Sequence, residues 1–132
     1  MSYAAEAASI EARFEDQWGT TTPVEYDNVQ YKPTPGTSYV KLEIHTGEGM
    51  RASLGETYLE RSVGIISMNI FTAINTGTRT GRGLADSAAA VFRGWTTSAI
   101  TCRTPTITRL GQVGEWFVTN VSVPFYRDET FS

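Results

Sequence analysis

The sequence offers one histidine and one cysteine for nucleophilic or metal chemistry. His45 alternates with Lys41 and Glu43 on the polar side of a strand-like segment, where a solvated imidazole is expected rather than a catalytic one. Cys102 lies among β-forming residues and is interpreted as a small core side chain rather than a nucleophile. A single cysteine can form neither an intrachain disulfide nor a cysteine-based zinc site. These residues predict that the chain has no catalytic site, no metal and no cofactor, and that it is not an enzyme.

A glycine-rich segment, TGTRTGRG at residues 76–83, stands directly before a helical pattern and has the composition of an anion-binding loop. Its glycines do not follow the phosphate-binding spacing GxxxxGKS or GxxxxGKT, and no lysine follows them. We therefore expect a loop in which Arg79 and Arg82 contact a protein partner or passing nucleic acid. The alternative is an ordinary solvated connection.

Charge is segregated along the chain. Residues 1–30 carry six carboxylates and one arginine, whereas residues 61–109 carry six arginines and one aspartate. The carboxylates of the first helical segment form the candidate acidic interface: Glu6, Glu11, Glu15 and Asp16. Nine of the 11 basic residues are arginine, which suits partly desolvated contacts between proteins better than lysine does. Two interpretations remain open: the segments face each other within one fold, or they meet between subunits placed head to tail.

Two predicted helices position these charges. Hydrophobic residues recur at spacings of three and four in the first segment, which predicts an amphipathic helix over residues 3–17. Its stripe consists of Tyr3, Ala7, Ile10, Phe14 and Trp18. Ser2 is the expected N-cap and Gly19 the expected C-terminal stop. A second helical pattern begins at Leu84 and is closed by Gly94.

The remaining segments indicate β-structure. Before the second helix, the expected strands cover residues 38–45, 50–54 and 58–75, the last of them with both faces at least partly covered. A turn is expected at Thr46–Gly49, and a proline-rich, irregular arm over residues 20–36. After the second helix the chain returns to β-structure over residues 100–102 and 106–110 and, beyond a turn at Gly111–Gly114, over residues 116–126. The expected fold is α+β, a mixed or antiparallel sheet flanked by two helices in the order α-β-β-β-α-β-β, forming one domain over residues 1–132.

The composition excludes several classes of protein. With 132 residues, of which 40% are hydrophobic and 11% aromatic, the chain has enough apolar material for one core, unlike disordered proteins. The longest nearly apolar stretch, residues 63–74, is shorter than the about 20 residues that cross a bilayer, so no membrane span is expected. The first residues lack the basic and apolar regions of a secretory signal, and we therefore expect the chain to stay in a cytoplasm.

Several motifs follow one another along residues 10–127. They are RFEDQW, VEYDNVQYKP, YVKLEIHTGEG, a glycine that opens the long strand, TGTRTGRGLADSAAAVF and EWFVTNVSVPFYRDE. In this pattern of aromatic, glycine, asparagine and Pro-Phe positions the chain resembles the phage tail terminator-like family, long known only as a bacteriophage-related domain of unknown function. The matching positions are Phe14, Trp18, Asn28, Val29, Tyr39, Val40, Gly64, Gly77, Gly81, Ala85, Asp86, Trp116, Pro124 and Phe125.

The resemblance implies the fold of lambda-type tail terminators, in which helices pack on a mixed or antiparallel sheet and the subunits assemble into a hexameric ring. Such a ring caps the growing tail tube, ends its polymerisation and joins the tail to the head. The implied location is the tail-neck junction of the virion, after assembly in the host cytoplasm. The implied partners are further copies of the chain, the tail tube protein and a neck or head-completion protein. DNA would pass through the lumen only as cargo, and no membrane would be involved.

Two other classes of protein remain open. A neck or head-completion connector would share the size and partners of a tail terminator but bind the tube through a different face. A small phage nucleic-acid-binding protein or enzyme is the remaining possibility. The sequence pI of about 5.1 and the missing catalytic groups speak against it.

Overall fold

Within residues 3–27, 29, 31–51, 55–74 and 79–131, which the computed structural model describes, the chain forms two helices and six strands of one mixed sheet. The helices are α1 (Tyr3–Trp18) and α2 (Arg79–Phe92). The strands are β1 (Val24–Tyr26), β2 (Tyr39–Arg51), β3 (Tyr58–Ala73), β4 (Ile100–Cys102), β5 (Thr106–Val113) and β6 (Trp116–Phe131). The predicted α+β class and the predicted order of helices and strands are confirmed. The β-structure after α2 consists of three strands, one at each of the three segments predicted there.

The long strands β2, β3 and β6 form the centre of the sheet. Neighbouring strands follow the order β1-β2-β3-β6-β4, and β5 pairs with β6 on the same edge as β4. β1 runs parallel to β2, whereas all the other pairings among the described residues are antiparallel. The strand order therefore places β1 and β5 at opposite edges of the sheet.

The core lies between the two helices and one face of the sheet, which we call the inner face. Its fully buried side chains alternate along the long strands and include Leu42, Ile66, Met68, Ile70, Val121, Val123 and Phe125. Phe14 of α1 stacks on Trp18 and on Phe92 of α2, with ring centroids 5.2 and 6.2 Å apart. Burying a side chain of this size stabilises the fold by about 1.5–3 kcal/mol, so these rings hold the two helices together.

The helix predicted over residues 3–17 is confirmed, and Gly19 follows it with a positive φ of 58°. The buried stripe differs from the prediction in the first turn. Tyr3 is 68% exposed, whereas Glu6 is fully buried because a basic side chain of β6 pairs with its carboxylate. Ser2, the predicted N-cap, lies outside the described residues.

The turn predicted at Thr46–Gly49 is wrong. β2 continues through this segment as the antiparallel partner of β3, and the register shifts between Thr46 and Gly49. A bulge accommodates the irregularity, and glycine is common where a strand bends in this way. Residues 50–51 of the predicted partner strand are the end of β2 itself, and the rest of that prediction lies outside the described residues.

The helix predicted from Leu84 begins earlier, at Arg79. The loop predicted for residues 76–83 is therefore wrong over its second half, and its first half, residues 76–78, lies outside the described part of the chain. Gly81 lies inside α2 although glycine lowers helix stability by about 1 kcal/mol relative to alanine. It is buried against β3 and β6, so packing on the sheet outweighs the local preference.

The strands after α2 lie at the segments predicted as β-structure from the sequence. β4 coincides with the prediction, and β5 and β6 extend beyond the predicted strands to Val113 and Phe131. Gly111, with a φ of 90°, lies at a register shift inside β5, whereas Gly114 lies in the turn to β6. In the arm predicted to be irregular, Val24–Tyr26 form β1.

Candidate functional site

A groove of about 290 Å³ lies between the N-terminal half of α2 and β5, at one edge of the sheet. It is lined by Arg82, Ala85 and Asp86 of α2, Ile107 and Arg109 of β5, and Phe117 of β6, together with Thr72, Gly81 and Thr119. Its charged side chains are two arginines and one aspartate. We call this set of residues the basic groove.

Both arginines of the basic groove are exposed, and neither forms an ion pair with a described residue. The Arg109 guanidinium lies 5.2 Å from the centre of the Phe117 ring, a cation–π contact that holds the charge beside an apolar surface. Arg109 was not predicted as a site residue. The groove exists only because β5 pairs with β6 beside α2, which is a contact between distant parts of the chain.

The predicted contact residues Arg79 and Arg82 lie in the first turn of α2 and are exposed. That turn contains no carboxylate. The backbone amides at a helix N-terminus carry partial positive charge, so an arginine there is unfavourable by about 0.3–1 kcal/mol. Side chains and backbone thus concentrate positive charge at this end of α2, where an anionic partner would be favoured.

Carboxylates gather at the opposite edge of the sheet, around β1. α1 ends at Trp18 and β1 begins at Val24, and Trp18 Nε1 donates to Thr22 Oγ1 over 3.1 Å, so the C-terminal part of α1 lies close to β1. In agreement with this, burial raises the pKa of the Tyr26 hydroxyl, and the charges of Glu15 and Glu11 raise it further. Glu25 lies within β1 and Asp27 directly follows it. We call Glu11, Glu15, Glu25 and Asp27 the acidic edge.

The four carboxylates predicted to form an acidic interface differ in their surroundings. Glu6 is fully buried: Arg127 Nε donates to one carboxylate oxygen over 2.9 Å, and Thr46 Oγ1 donates to the other over 2.8 Å. Glu6 therefore lies in the interior rather than on an interface, which corrects the prediction for this residue. The surface retains Glu11, which is partly exposed, and Glu15 and Asp16, which are exposed.

Among the residues that the structure describes, no ion pair joins the acidic segment 1–30 to the basic segment 61–109. Glu6 pairs with Arg127, beyond the basic segment, and Arg61 pairs with Asp128 over 2.8 Å. The described ion pairs thus do not support the interpretation that the two segments neutralise each other within one fold. Contact between subunits stays a prediction.

The two residues considered for nucleophilic chemistry lie in unlike surroundings. His45 is exposed, and its Nε2 lies 3.0 Å from the Glu43 carboxylate, as expected of a solvated histidine on a strand. Cys102 is buried, and burial raises the pKa of its thiol to about 11, which confirms a core position. In the described part of the chain, no group of His, Cys, Asp and Glu side chains is arranged to hold a metal ion.

The sheet face away from the helices carries a polar network that was not predicted from the sequence. Asn120 Nδ2 donates to Ser67 Oγ over 2.9 Å and to Asn69 Oδ1 over 2.8 Å, and Ser122 Oγ donates to Asn120 Oδ1 over 2.6 Å. Asn69 and Asn120 are directly paired across β3 and β6, as are Ser67 and Ser122. Such cross-strand pairs stabilise one register. The signal in the sequence is the alternation of small polar residues in two long strands.

The fold and its two oppositely charged edges define a small α+β protein whose surfaces suit contact with other proteins. The model of the phage tail terminator family matches residues 6–125, and the chain belongs to this family. The resemblance seen in the sequence is thereby confirmed. The protein is a structural protein of a phage tail and a component of the virion, and membership of the family implies interaction with other tail proteins.

A solved structure that carries no functional name has the same fold. It aligns with 99% of this chain over 99% of its own length, with a TM-score of 0.65 and 16% sequence identity, which shows the fold alone. No curated protein matches the chain. Among the described residues, no helix is long and apolar enough to cross a bilayer.

Proposed function

We propose that copies of this chain form a hexameric ring that caps the tail tube, ends its polymerisation and joins the tail to the head. Membership of the family supports the class of protein. The observation that carries the ring is the position of the acidic edge and the basic groove at opposite edges of one sheet. Two unlike surfaces that fit each other produce head-to-tail contacts, and these close into a ring when the rotation between subunits divides a full turn.

In this proposal the whole chain acts as one domain at the tail-neck junction, between the tail tube protein and a neck or head-completion protein. Its role is structural rather than enzymatic. Arg79 and Arg82, exposed at the start of α2, contact a neighbouring subunit, the tube, or DNA that passes through the lumen as cargo. Arginine suits each of these contacts because its planar guanidinium pairs with carboxylates and phosphates through two hydrogen bonds.

Tail tubes assembled from purified tube protein test the proposal. With this protein present, we expect closed six-membered rings at tube ends in negative-stain images, and tubes that stop elongating. Tubes mixed with an unrelated acidic protein of similar size should continue to elongate. A chain that is monomeric in free solution is compatible with the proposal, because the tube end provides the template. A chain that stays monomeric in the presence of tubes contradicts it.

A further inference from the structure

The last turn of α1 and the first turn of α2 carry charged side chains that form no ion pair with a described residue of the same subunit. Glu15 and Asp16 lie in the last turn of α1, which contains no basic residue, and Arg79 and Arg82 lie in the first turn of α2, which contains no acidic one. The helix dipole disfavours anions at the C-terminal end of α1 and cations at the N-terminal end of α2. None of the four side chains forms an ion pair with a described residue. A partner of opposite charge would relieve the unfavourable electrostatics at both helix ends.

The basic groove has the composition of a contact site for a protein surface rather than for a small anion. Beside its two arginines lie Ile107, which is 43% exposed, and the ring of Phe117. Further along β5, Leu110 and Val113 are more than half exposed. In the described part of the chain β5 pairs only with β6, so its outer edge is open. An open edge strand with apolar side chains is unusual on a surface that stays free.

We propose that the acidic edge of one copy docks in the basic groove of the next, with Glu11 and Glu15 facing Arg82 and Arg109. This inference rests on the proposed ring and names the surfaces that build it. Charge complementarity identifies the occupant as a second copy, because one chain carries both halves of the contact at opposite sheet edges. In an open chain of subunits joined by this contact, one end exposes a free groove and the other end exposes a free acidic edge. Only closure into a ring fills the last groove with the last acidic edge.

Charge reversal at one edge at a time tests the contact. The groove variant carries Arg82→Glu and Arg109→Glu, and the edge variant carries Glu11→Lys and Glu15→Lys. Each variant alone has two edges of like charge, so we expect loss of ring-sized species in light scattering and on tail tubes. In an equal mixture every acidic groove meets a basic edge, and rings of alternating copies should return. Raising the salt concentration from about 0.1 M to about 1 M should weaken the wild-type ring by screening the contact.

The reversals separate assembly from folding. Arg82→Glu suits the dipole at the start of α2 and Glu15→Lys suits it at the end of α1, whereas Glu11→Lys lies in mid-helix and Arg109→Glu gives up the contact with the Phe117 ring. These effects oppose one another, so the melting temperatures of both variants should stay close to that of the wild type. Arg93→Glu is the matched control, because Arg93 is exposed beyond the C-terminal end of α2 and outside the groove. This control should assemble like the wild type.

The other outcomes distinguish an error in the proposed contact from an error in the proposed ring. If the groove or edge variant alone assembles like the wild type, or if Arg93→Glu disrupts rings equally, the proposed contact is wrong. If the mixture fails to restore rings, the groove and the acidic edge do not meet each other and the proposed contact is wrong, whereas the ring itself still stands as long as the wild type assembles. Binding of tube protein or nucleic acid that the groove variant alone has lost would then identify the occupant of the groove. If the wild type stays monomeric on tail tubes, the ring is wrong, and the inference fails with it.

Discussion

A buried carboxylate in the first half of α1, that of Glu6, joins this helix to β2 and β6. Glu6 accepts hydrogen bonds from Arg127 and Thr46, and Arg127 also donates to Glu129 over 3.0 Å and to Ser62 over 3.4 Å. The Glu6 and Arg127 side chains are 0% and 8% exposed, so both charges are desolvated and each depends on its partners. A pair of this kind adds little to stability compared with apolar residues of the same size, but removing Glu6 leaves the buried Arg127 guanidinium with only Glu129 and Ser62 as partners.

Glu6→Ala should therefore lower the free energy of unfolding by about 3 kcal/mol, the lower end of the range for a broken buried pair because Glu129 still faces Arg127, and urea denaturation measures the change. Glu6→Gln should cost less, because the amide keeps the shape and still accepts one hydrogen bond. Glu15→Ala provides the control: this carboxylate is exposed on the same helix, and its removal should change stability by no more than about 0.5 kcal/mol. Equal effects of Glu6→Ala and Glu15→Ala would show that the buried pair does not anchor α1.

The arginines at the start of α2 should behave in the opposite way. Replacing Arg79 and Arg82 together by alanine should leave the melting temperature unchanged or slightly raised, because alanine favours the helix and the unfavourable charge is removed. The yield of rings on tail tubes should fall. Wild-type ring yield in the double variant would show that these arginines make no contact in assembly, and a much lower melting temperature would show that they are structural.

At the scale of elements, the central strands depend on one close approach. Gly64 of β3 is directly paired with Phe125 of β6, whose ring lies over it. A Cβ at Gly64 would come within 2.6 Å of Phe125 Cζ and 2.7 Å of the His45 carbonyl oxygen. Phe125 is 2% exposed in the core, and the His45 oxygen belongs to the backbone of β2, so neither can move without disturbing the sheet. This contact gives a physical reason for glycine at position 64, one of the positions on which the resemblance in the sequence was based.

Gly64→Ala should accordingly destabilise the protein by about 1–3 kcal/mol through overpacking. Gly83→Ala is the matched control, since Gly83 is exposed inside α2 with open space around it, and alanine there should stabilise by up to about 1 kcal/mol. Thermal melts of the two variants should therefore shift in opposite directions. A neutral Gly64→Ala would mean that both the Phe125 ring and the β2 backbone at His45 can shift at little cost.

Local periodicity predicted most elements, because a helix or strand with one buried face shows its spacing in the sequence. α1 and the central strand β3 were predicted within a few residues on this basis. The bulge at Thr46–Gly49 and the early start of α2 at Arg79 were not predicted. In both places glycines suggest a turn or a loop, whereas pairing with β3 and packing on the sheet decide the structure.

The candidate site was predictable only in its charges. The segregation of carboxylates and arginines is visible in the sequence, and Arg82 was among the residues it indicated. That Glu6 is buried and that Arg109 joins Arg82 in one groove depend on contacts with distant strands. Spacing along the chain carries no information on which acidic residue will meet Arg127 across 121 positions.

For the whole molecule, the strand order places opposite charges at opposite edges of the sheet. The acidic edge lies beside β1 and the basic groove beside β5, with the three long strands between them. A contact between unlike edges is directional, so successive subunits keep the same orientation and the other surfaces of every subunit face the same way. A ring built in this manner presents one end to the tube and the other to the neck, as a tube cap requires.

Loss of the protein from its phage distinguishes a tube cap from a neck connector. Without a cap, tube subunits add past the normal end of the tube. A deletion should therefore give filled heads beside unjoined tails, and the tail lengths in electron micrographs should be broadly distributed and longer than normal. Loss of a neck connector would instead leave tails of normal length. Complementation with the variant carrying Arg82→Glu and Arg109→Glu should reproduce the lengthened tails, because its subunits fold but do not close into a ring, whereas Arg93→Glu should restore normal tails. Unjoined tails of normal length in the deletion would show that this chain does not terminate the tube.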